Sequence, residues 1–404
     1  MIKIAFITPW PPQHSGIADH IYYLVSSLKD SFSIDIITNA QNPKLLDGVK
    51  IYHYQEDIDY KSYDELIYEI GNNYNFHYYM IALIKRYGGV VHLHDFVLQQ
   101  FIVQYIFESG GRWQGYIDTI EKWYGQSIGV LVNELKEIHN INFWETKEIG
   151  MLPLCEEILQ YSTGCIVHSD YVLEKLKKIY PNKKILKTWL FPSLNEKFIE
   201  KNSTKEIFDI GIFGNIDINR NIEKSIRVIK ELLDEFNIQL HIVGELNQNQ
   251  KYLVTKYKNI DNIHFYGRVN SDKFDVLLDN IDICINLRYP TMGETSSIAI
   301  RCLQKGIALI VNDIGWYSEL PDFVVKIQIE ESIDILEKEL IFLLDRDKLN
   351  LLKDNMNDFL VDELNSKRIR DEYINIINKL HLKSADRDIY KNISAILDDL
   401  SYQV

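Results

Sequence analysis

The chain of 404 residues has no uninterrupted apolar run of about 18 residues, the length a membrane-crossing helix needs, so no spanning segment is read from it. It has only four cysteines, Cys155, Cys165, Cys284 and Cys302, each in or beside an apolar run and none in a C-x-x-C pair. That spacing excludes a disulfide framework and a cysteine zinc site, and reads as small core residues in a reducing compartment. No G-x-G-x-x-G is present, which removes the usual support for a nicotinamide enzyme. Positive charge is also scarce. With 44 Lys and Arg against 58 Asp and Glu the net charge is −14, which argues against nucleic acid as a partner. The opening Met-Ile-Lys-Ile-Ala-Phe-Ile-Thr is too short for the apolar core of a signal peptide and reads as a first strand. The expected location is the cytoplasm, with peripheral contact at the inner face of the membrane left open.

What is abundant is alternation. Short apolar runs recur at Lys3–Thr8, Ile34–Thr38, Glu65–Ile70, Val90–His94, Gly164–His168 and Ile185–Leu190. They resume at Ile210–Phe213, Gln239–Val243, Ile263–Tyr266, Ile281–Leu287, Ile307–Val311 and Val324–Ile327. Helix-forming segments separate them, the pattern of parallel, doubly wound α/β sheets. Twelve strands are too many for one compact sheet. A polar, turn-rich stretch at 191–206 therefore divides an N-terminal domain, 1–190, from a C-terminal domain, 207–384. Residues 97–160 interrupt the alternation with a long helical segment rich in aromatics, including Trp113, Trp123, Tyr124 and Trp144. It reads as a helical subdomain packed on its own aromatics, or as a surface for an acceptor or membrane. Residues 385–404 read as a last amphipathic helix crossing back to the first domain.

Several loops carry chemistry. The stretch Arg288-Tyr-Pro-Thr-Met-Gly-Glu-Thr-Ser-Ser297 follows one strand and opens a helix. Ligands collect at the carboxyl ends of strands in such sheets, and helix N-termini suit phosphate. A carboxylate at Glu294, beside an expected anion site, points to a sugar attached to a diphosphate. Thr8 to Asp19 forms a proline-stiffened loop after the first strand, with Gly16 allowing close backbone approach or a positive φ. Phe213-Gly-Asn-Ile-Asp-Ile-Asn-Arg220 repeats the strand, loop and helix order, with Gly214 for the turn. Arg220 at a helix start is disfavoured by the dipole unless an anion answers it. His92 and His94 share one side of a strand by alternation. They allow a metal pair, but the sequence offers no third ligand. Each also reads as an ordinary hydrogen-bonded histidine, and His94 as a contact for a substrate hydroxyl. The lysines at 175, 177, 178, 183, 184 and 187 read as a solvated helix face or a site for anionic headgroups. Asp57-Ile-Asp59 has the D-x-D form of metal-dependent transferases but follows no buried strand, and reads as chance.

Together these loops resemble retaining glycosyltransferases of family 4, which have the GT-B fold of two Rossmann-like doubly wound domains facing across a cleft. The resemblance rests on Thr8-Pro-Trp-Pro-Pro-Gln-His-Ser-Gly-Ile-Ala-Asp19, on Gly71-Asn-Asn with His77 and Val-Val-His-Leu-His-Asp95, on the Gly214 loop, and on Phe265-Tyr-Gly-Arg-Val269. It implies that Gly16, Gly214, Asn215 and Arg220 meet the donor diphosphate and that Arg268 and Val269 flank the base. Glu294 would bind sugar hydroxyls, and the amides of Thr295, Ser296 and Ser297 would hold phosphate. His94 would approach the transferred sugar, and Asp19 and Asp95 would lie on the acceptor side. The implied catalytic set is Glu294, His94 and Arg220. The implied reaction moves a sugar from a nucleotide-diphosphate donor to a glycan, lipid-linked or protein hydroxyl, with retention and with no metal or further cofactor. Two positions depart from the family pattern. Asn215 stands where an arginine is usual, and Arg301 stands where a second glutamate grips the ribose, so Arg301 is read as a donor contact in its own right, to ribose or phosphate. A non-catalytic partner of another transferase is therefore the alternative.

Overall fold

The structure is a computed structural model that describes residues 1–193, 198, 205–329 and 333–381. The helix expected over 385–404 and most of the 191–206 stretch lie outside the described residues. The chain divides into two compact units. Unit 1 holds Met1–Phe191, Met292–Thr295 and the described residues from Ser366 onward; unit 2 holds the described parts of Pro192–Thr291 and Ser296–Asn365. Residues from Ser366, read from the sequence as the end of the second domain, thus group with the first.

Unit 1 begins β1 (Lys3–Ile7), α1 (Gly16–Leu28), β2 (Ser33–Thr38), β3 (Lys50–His53), β4 (Glu65–Ile70), α2 (Tyr74–Tyr87) and β5 (Val90–Leu93). Four helices follow: α3 (Gln99–Glu108), α4 (Arg112–Tyr124), α5 (Gln126–His139) and the short α6 (Glu156–Leu159). Then come β6 (Gly164–Val167), α7 (Asp170–Ile179) and β7 (Lys184–Lys187). The seven strands are parallel in the order β3-β2-β1-β4-β5-β6-β7. β4 is buried at every position, as a strand covered on both faces requires.

Unit 2 runs β8 (Phe208–Phe213), α8 (Ile222–Leu232), β9 (Ile238–Val243), α9 (Tyr252–Tyr257), β10 (Ile263–Gly267) and α10 (Ser271–Asp279). It continues with β11 (Ile283–Ile285), α11 (Ser297–Gln304), β12 (Ala308–Asn312), β13 (Val325–Ile327), α12 (Ile333–Leu343) and α13 (Arg346–Asp362). Its six parallel strands lie in the order β10-β9-β8-β11-β12-β13. In both sheets the order reverses beside the first strand, between β1 and β4 and between β8 and β11. The loops leaving those strands part there, and in such sheets ligands bind at the carboxyl ends beside that switch point. Helix α8 shows why the crossovers pack. Ile222, Ile226, Ile229 and Leu232 recur at three- and four-residue intervals and are all buried. The last helix, α14 (Ser366–Leu380), returns to unit 1, where Thr188 Oγ1 donates to Glu372 at 3.1 Å and Lys184 Nζ donates to the Lys379 carbonyl at 3.3 Å.

Some elements differ from the sequence expectation. The run Ile281–Leu287 is a strand only over Ile283–Ile285, although the Asn286 amide still donates to the Ile310 carbonyl of β12 at 2.9 Å. Ile185–Leu190 becomes Lys184–Lys187. The edge strand β3 has no expected counterpart, since its half-exposed residues need no apolar pattern.

The aromatics of 97–160 are used internally. Trp113 Nε1 donates to Asn133 Oδ1 at 2.7 Å, Trp123 Nε1 to Glu157 Oε1 at 2.8 Å, and Trp144 packs edge-on against Tyr116 at 5.2 Å. The lysine run is likewise dispersed, with Lys183 Nζ bonded to the carbonyls of Leu159 and Ser162 and Lys187 paired with Asp170. Asp59 accepts from the Lys61 amide at 3.1 Å and caps a short turn.

Leu240 on β9 is fully buried, whereas Leu45 is 82% exposed. Leu240→Ala is expected to lower the unfolding free energy by about 2–5 kcal/mol, and Leu45→Ala to stay within about 0.5 kcal/mol. Urea denaturation followed by far-ultraviolet circular dichroism measures both.

Candidate functional site

The crevice of unit 2 is built from the loop after β8 and the loop after β11. Gly214 ends β8 with φ +98°, a conformation glycine adopts without strain, and a Cβ there would lie 2.6 Å from Arg220 Nη2. The guanidinium therefore lies directly against the Gly214 backbone. Arg220 closes a short 3-10 turn, Ile218–Arg220, rather than opening α8, and it is 3% exposed. Its Nη1 donates to Asn286 Oδ1 at 2.6 Å. Asn286 Nδ2 in turn donates to Ser296 Oγ at 3.0 Å, and Ser296 Oγ accepts from the Ala299 amide at 3.2 Å. Ser296 is thus the N-cap of α11 and Ser297 its first residue. This chain of hydrogen bonds places a buried cation beside a helix N-terminus at the carboxyl ends of the strands flanking the switch point. Both features stabilise negative charge.

Asn286 escaped the sequence reading because it sits inside an apolar run. Its signal was that single polar residue near a strand's carboxyl end. Asn215 is exposed beside Gly214. Arg268 is 54% exposed, with Nη1 3.9 Å from Glu245 Oε2, and Val269 is half-buried. Arg301 is turned toward α10. Its Nη2 donates to Asp275 Oδ1 at 2.5 Å and its guanidinium stacks 5.2 Å from the Phe274 ring centroid.

In unit 1, Glu294 is buried, and its Oε2 accepts from the Met292 amide at 2.7 Å. Burial, and then the nearby Glu294 charge, push the Tyr171 hydroxyl above its ordinary pKa. Gly293 has φ +72°, and a Cβ there would lie 2.6 Å from Phe96 Cβ. The Met292 carbonyl also accepts from the Val97 amide at 2.9 Å. Thr295 is half-buried. Gly16 begins α1 behind the N-cap Ser15 and does not take a left-handed conformation, so close approach rather than positive φ is what it offers. Asp19, on the same first turn, is exposed. Asp95 Oδ2 accepts from the Asn72 amide at 2.7 Å, bracing the loop after β4.

His94 is buried, with Nε2 2.6 Å from Glu69 Oε2; His92 Nδ1 lies 3.0 Å from Glu69 Oε1. Burial alone would raise the Glu69 pKa, but the His92 and His94 imidazoles outweigh it and hold the group below its ordinary range. Glu69 is therefore a carboxylate accepting two N–H bonds. His20 and His168 pack against the same rings, at centroid separations of 5.3 and 5.2 Å from His94. The sequence reading identified neither of them, nor Glu69.

Residues 195–320 match the family described as Glycosyl transferases group 1. No curated protein matches the chain in sequence. Among solved structures, sucrose-phosphate synthase from Thermosynechococcus elongatus is similar over 94% of this chain and 99% of its own, with TM-score 0.65 and 12% identity. HepE from Anabaena, in complex with UDP and glucose, is similar over 94% and 100%, with TM-score 0.62 and 12% identity. WaaG, a glycosyltransferase involved in lipopolysaccharide biosynthesis, is similar over 93% and 99%, with TM-score 0.61 and 12% identity. The chain therefore has the two-domain α/β fold of the GT-B glycosyltransferases.

Gly293→Ala combines a left-handed φ with a contact to the Cβ of Phe96, which no rotamer change relieves. It is expected to destabilise the protein by about 1–3 kcal/mol, read as a lower midpoint in thermal unfolding. Phe96→Ala retains that Cβ and is not expected to rescue it.

Proposed function

We propose that the protein is a glycosyltransferase that moves a sugar from a nucleotide-diphosphate sugar to a hydroxyl acceptor with retention at the anomeric carbon. The observation that carries this reading is the chain from Arg220 through Asn286 to Ser296 at the switch point of the second sheet. A diphosphate seated there meets a buried guanidinium and the N-terminal amides of α11, with Thr295, Ser296 and Ser297 at that terminus. The match of residues 195–320 to the glycosyltransferase family spans these same loops.

In the proposed reaction the bond between the anomeric carbon and the diphosphate oxygen breaks. The bond to the acceptor oxygen forms on the same face, and the acceptor proton passes to the departing diphosphate. Arg220 and the helix amides stabilise the charge that grows on the leaving group, an interaction stronger in the transition state than before it. Glu294 is the proposed ligand of the sugar hydroxyls, held in place by the Met292 amide. Gly16, Gly214 and Asn215 supply close backbone and polar contacts to the diphosphate, and Arg268 and Val269 flank the base. Asp19 and Asp95 are assigned to the acceptor side. Arg301 is committed to Asp275, which leaves ribose recognition to other groups.

That commitment is also what favours a second reading, a non-catalytic partner of another transferase, since no carboxylate stands at the Arg301 position. Calorimetric titration with a panel of nucleoside diphosphates separates the two. A transferase binds one of them, whereas a partner protein binds none. For the transferase, Arg220→Ala is expected to weaken that binding by about 10–100-fold, the loss of a charge-assisted hydrogen bond. Glu294→Ala is expected to abolish transfer while leaving the circular dichroism spectrum unchanged. Transfer at the wild-type rate by Glu294→Ala would sink the assignment.

A further inference from the structure

We propose that His20, His92, His94 and His168 form a binding site for one divalent transition metal of the zinc class. One ring nitrogen from each of the four lies within 4.8 Å of the others, and all four residues are buried. They come from α1 (His20), from β5 (His92) and the residue just after it (His94), and from the residue after β6 (His168), so the fold rather than a local repeat gathers them.

The partners of the rings show which nitrogens remain. His20 Nδ1 faces the Phe191 carbonyl at 3.4 Å, and His168 Nδ1 faces the Thr188 carbonyl at 3.1 Å. His92 Nδ1 and His94 Nε2 face the two oxygens of Glu69. Every one of these partners is an acceptor, so each ring spends its N–H outward, and the tautomers follow from that. What is left is a lone pair on Nε2 of His20, His92 and His168 and on Nδ1 of His94. The His20 and His168 Nε2 atoms are buried and have no hydrogen-bond donor among the described residues. Tyr373 Oη lies 3.4 Å from His92 Nε2 and 3.3 Å from the Trp189 carbonyl, so its single proton cannot serve both well.

Lone pairs gathered in a buried place repel one another, and an acceptor left without a donor there is unfavourable. A cation answers all four nitrogens at once. Imidazole ligands suit zinc, copper, iron and nickel, and an acceptor on the distal nitrogen of each ring is the arrangement that orients metal-bound histidines. With metal–nitrogen bonds of about 2.0–2.1 Å, tetrahedral ligands stand about 3.3 Å apart. The rings need to close by about 1.5 Å at most, which small side-chain rotations supply. The site would tie α1 to the centre of the first sheet. It gives His94 a ligand role in place of the sugar contact implied by resemblance.

The test uses the full chain, purified without a metal-affinity column, and neither donor nor acceptor, so its outcome is independent of the transferase reading. Elemental analysis is expected to find about one equivalent of metal. After chelation, cobalt(II) titration is expected to saturate at one equivalent with the visible d–d bands of a four-coordinate nitrogen site. His20→Gln and His168→Gln are each expected to remove those bands, and the exposed His139→Gln to keep them. Absence of a saturating cobalt spectrum in the wild-type chain overturns the site. So does an unchanged spectrum in His168→Gln. Because the wild-type titration is decisive by itself, poor folding of a variant does not shelter the proposal.

Discussion

Everything chemical in this chain follows from one constraint: all thirteen described strands are parallel to their neighbours. A parallel pair needs a crossover, and each crossover returns the chain to the same end of the sheet to begin the next strand. Strand ends and the loops that leave them are therefore collected on one side, whatever their separation in sequence. Arg220 meets Asn286 across 66 positions, and His92 and His94 meet Glu69 across 23 and 25. No local motif makes these contacts. The sheet order does, by setting β11 beside β8 and β5 beside β4.

That constraint also explains what was legible beforehand. Buried parallel strands must be apolar on both faces, so most of them stood out as short apolar runs, and the alternation with helices gave the α/β class directly. β3 did not stand out, because an edge strand with one neighbour can remain half-exposed and polar. Loops with glycine, such as the one at Gly214, were visible for their conformational demand. Glu69 and Asn286 were not, because a single polar residue inside an apolar run is absorbed into the strand reading. His20 lies on a helix, where nothing local connects it to β5. Sequence alternation correctly put His92 and His94 on one side, but only the folded sheet supplies the carboxylate and the two further imidazoles.

Arg301 illustrates a different limit. Its position in α11 suggested a group reaching for ribose or phosphate, and its charge is instead matched by Asp275 and the ring of Phe274 on α10. An ion pair between neighbouring crossover helices leaves no trace in one-dimensional spacing, since the two residues belong to different βα repeats. Buried Arg220 differs in kind. A guanidinium at 3% exposure carries a desolvation cost that ordinary surface pairing does not, so its surroundings must be polar by construction.

The return of α14 has a consequence for how the protein is made. Leu380 sits where a Cβ on Gly164 would be, 2.7 Å from its Cδ2, and Tyr373 is fully buried against His92. The first sheet thus receives its final covering from residues translated after the whole of the second unit. At about 5–20 residues per second, the roughly 170 intervening residues take on the order of ten to thirty-five seconds to emerge. Until those residues emerge, the contacts that α14 makes with His92 and Gly164 cannot form, so the first sheet is completed only by the end of the chain.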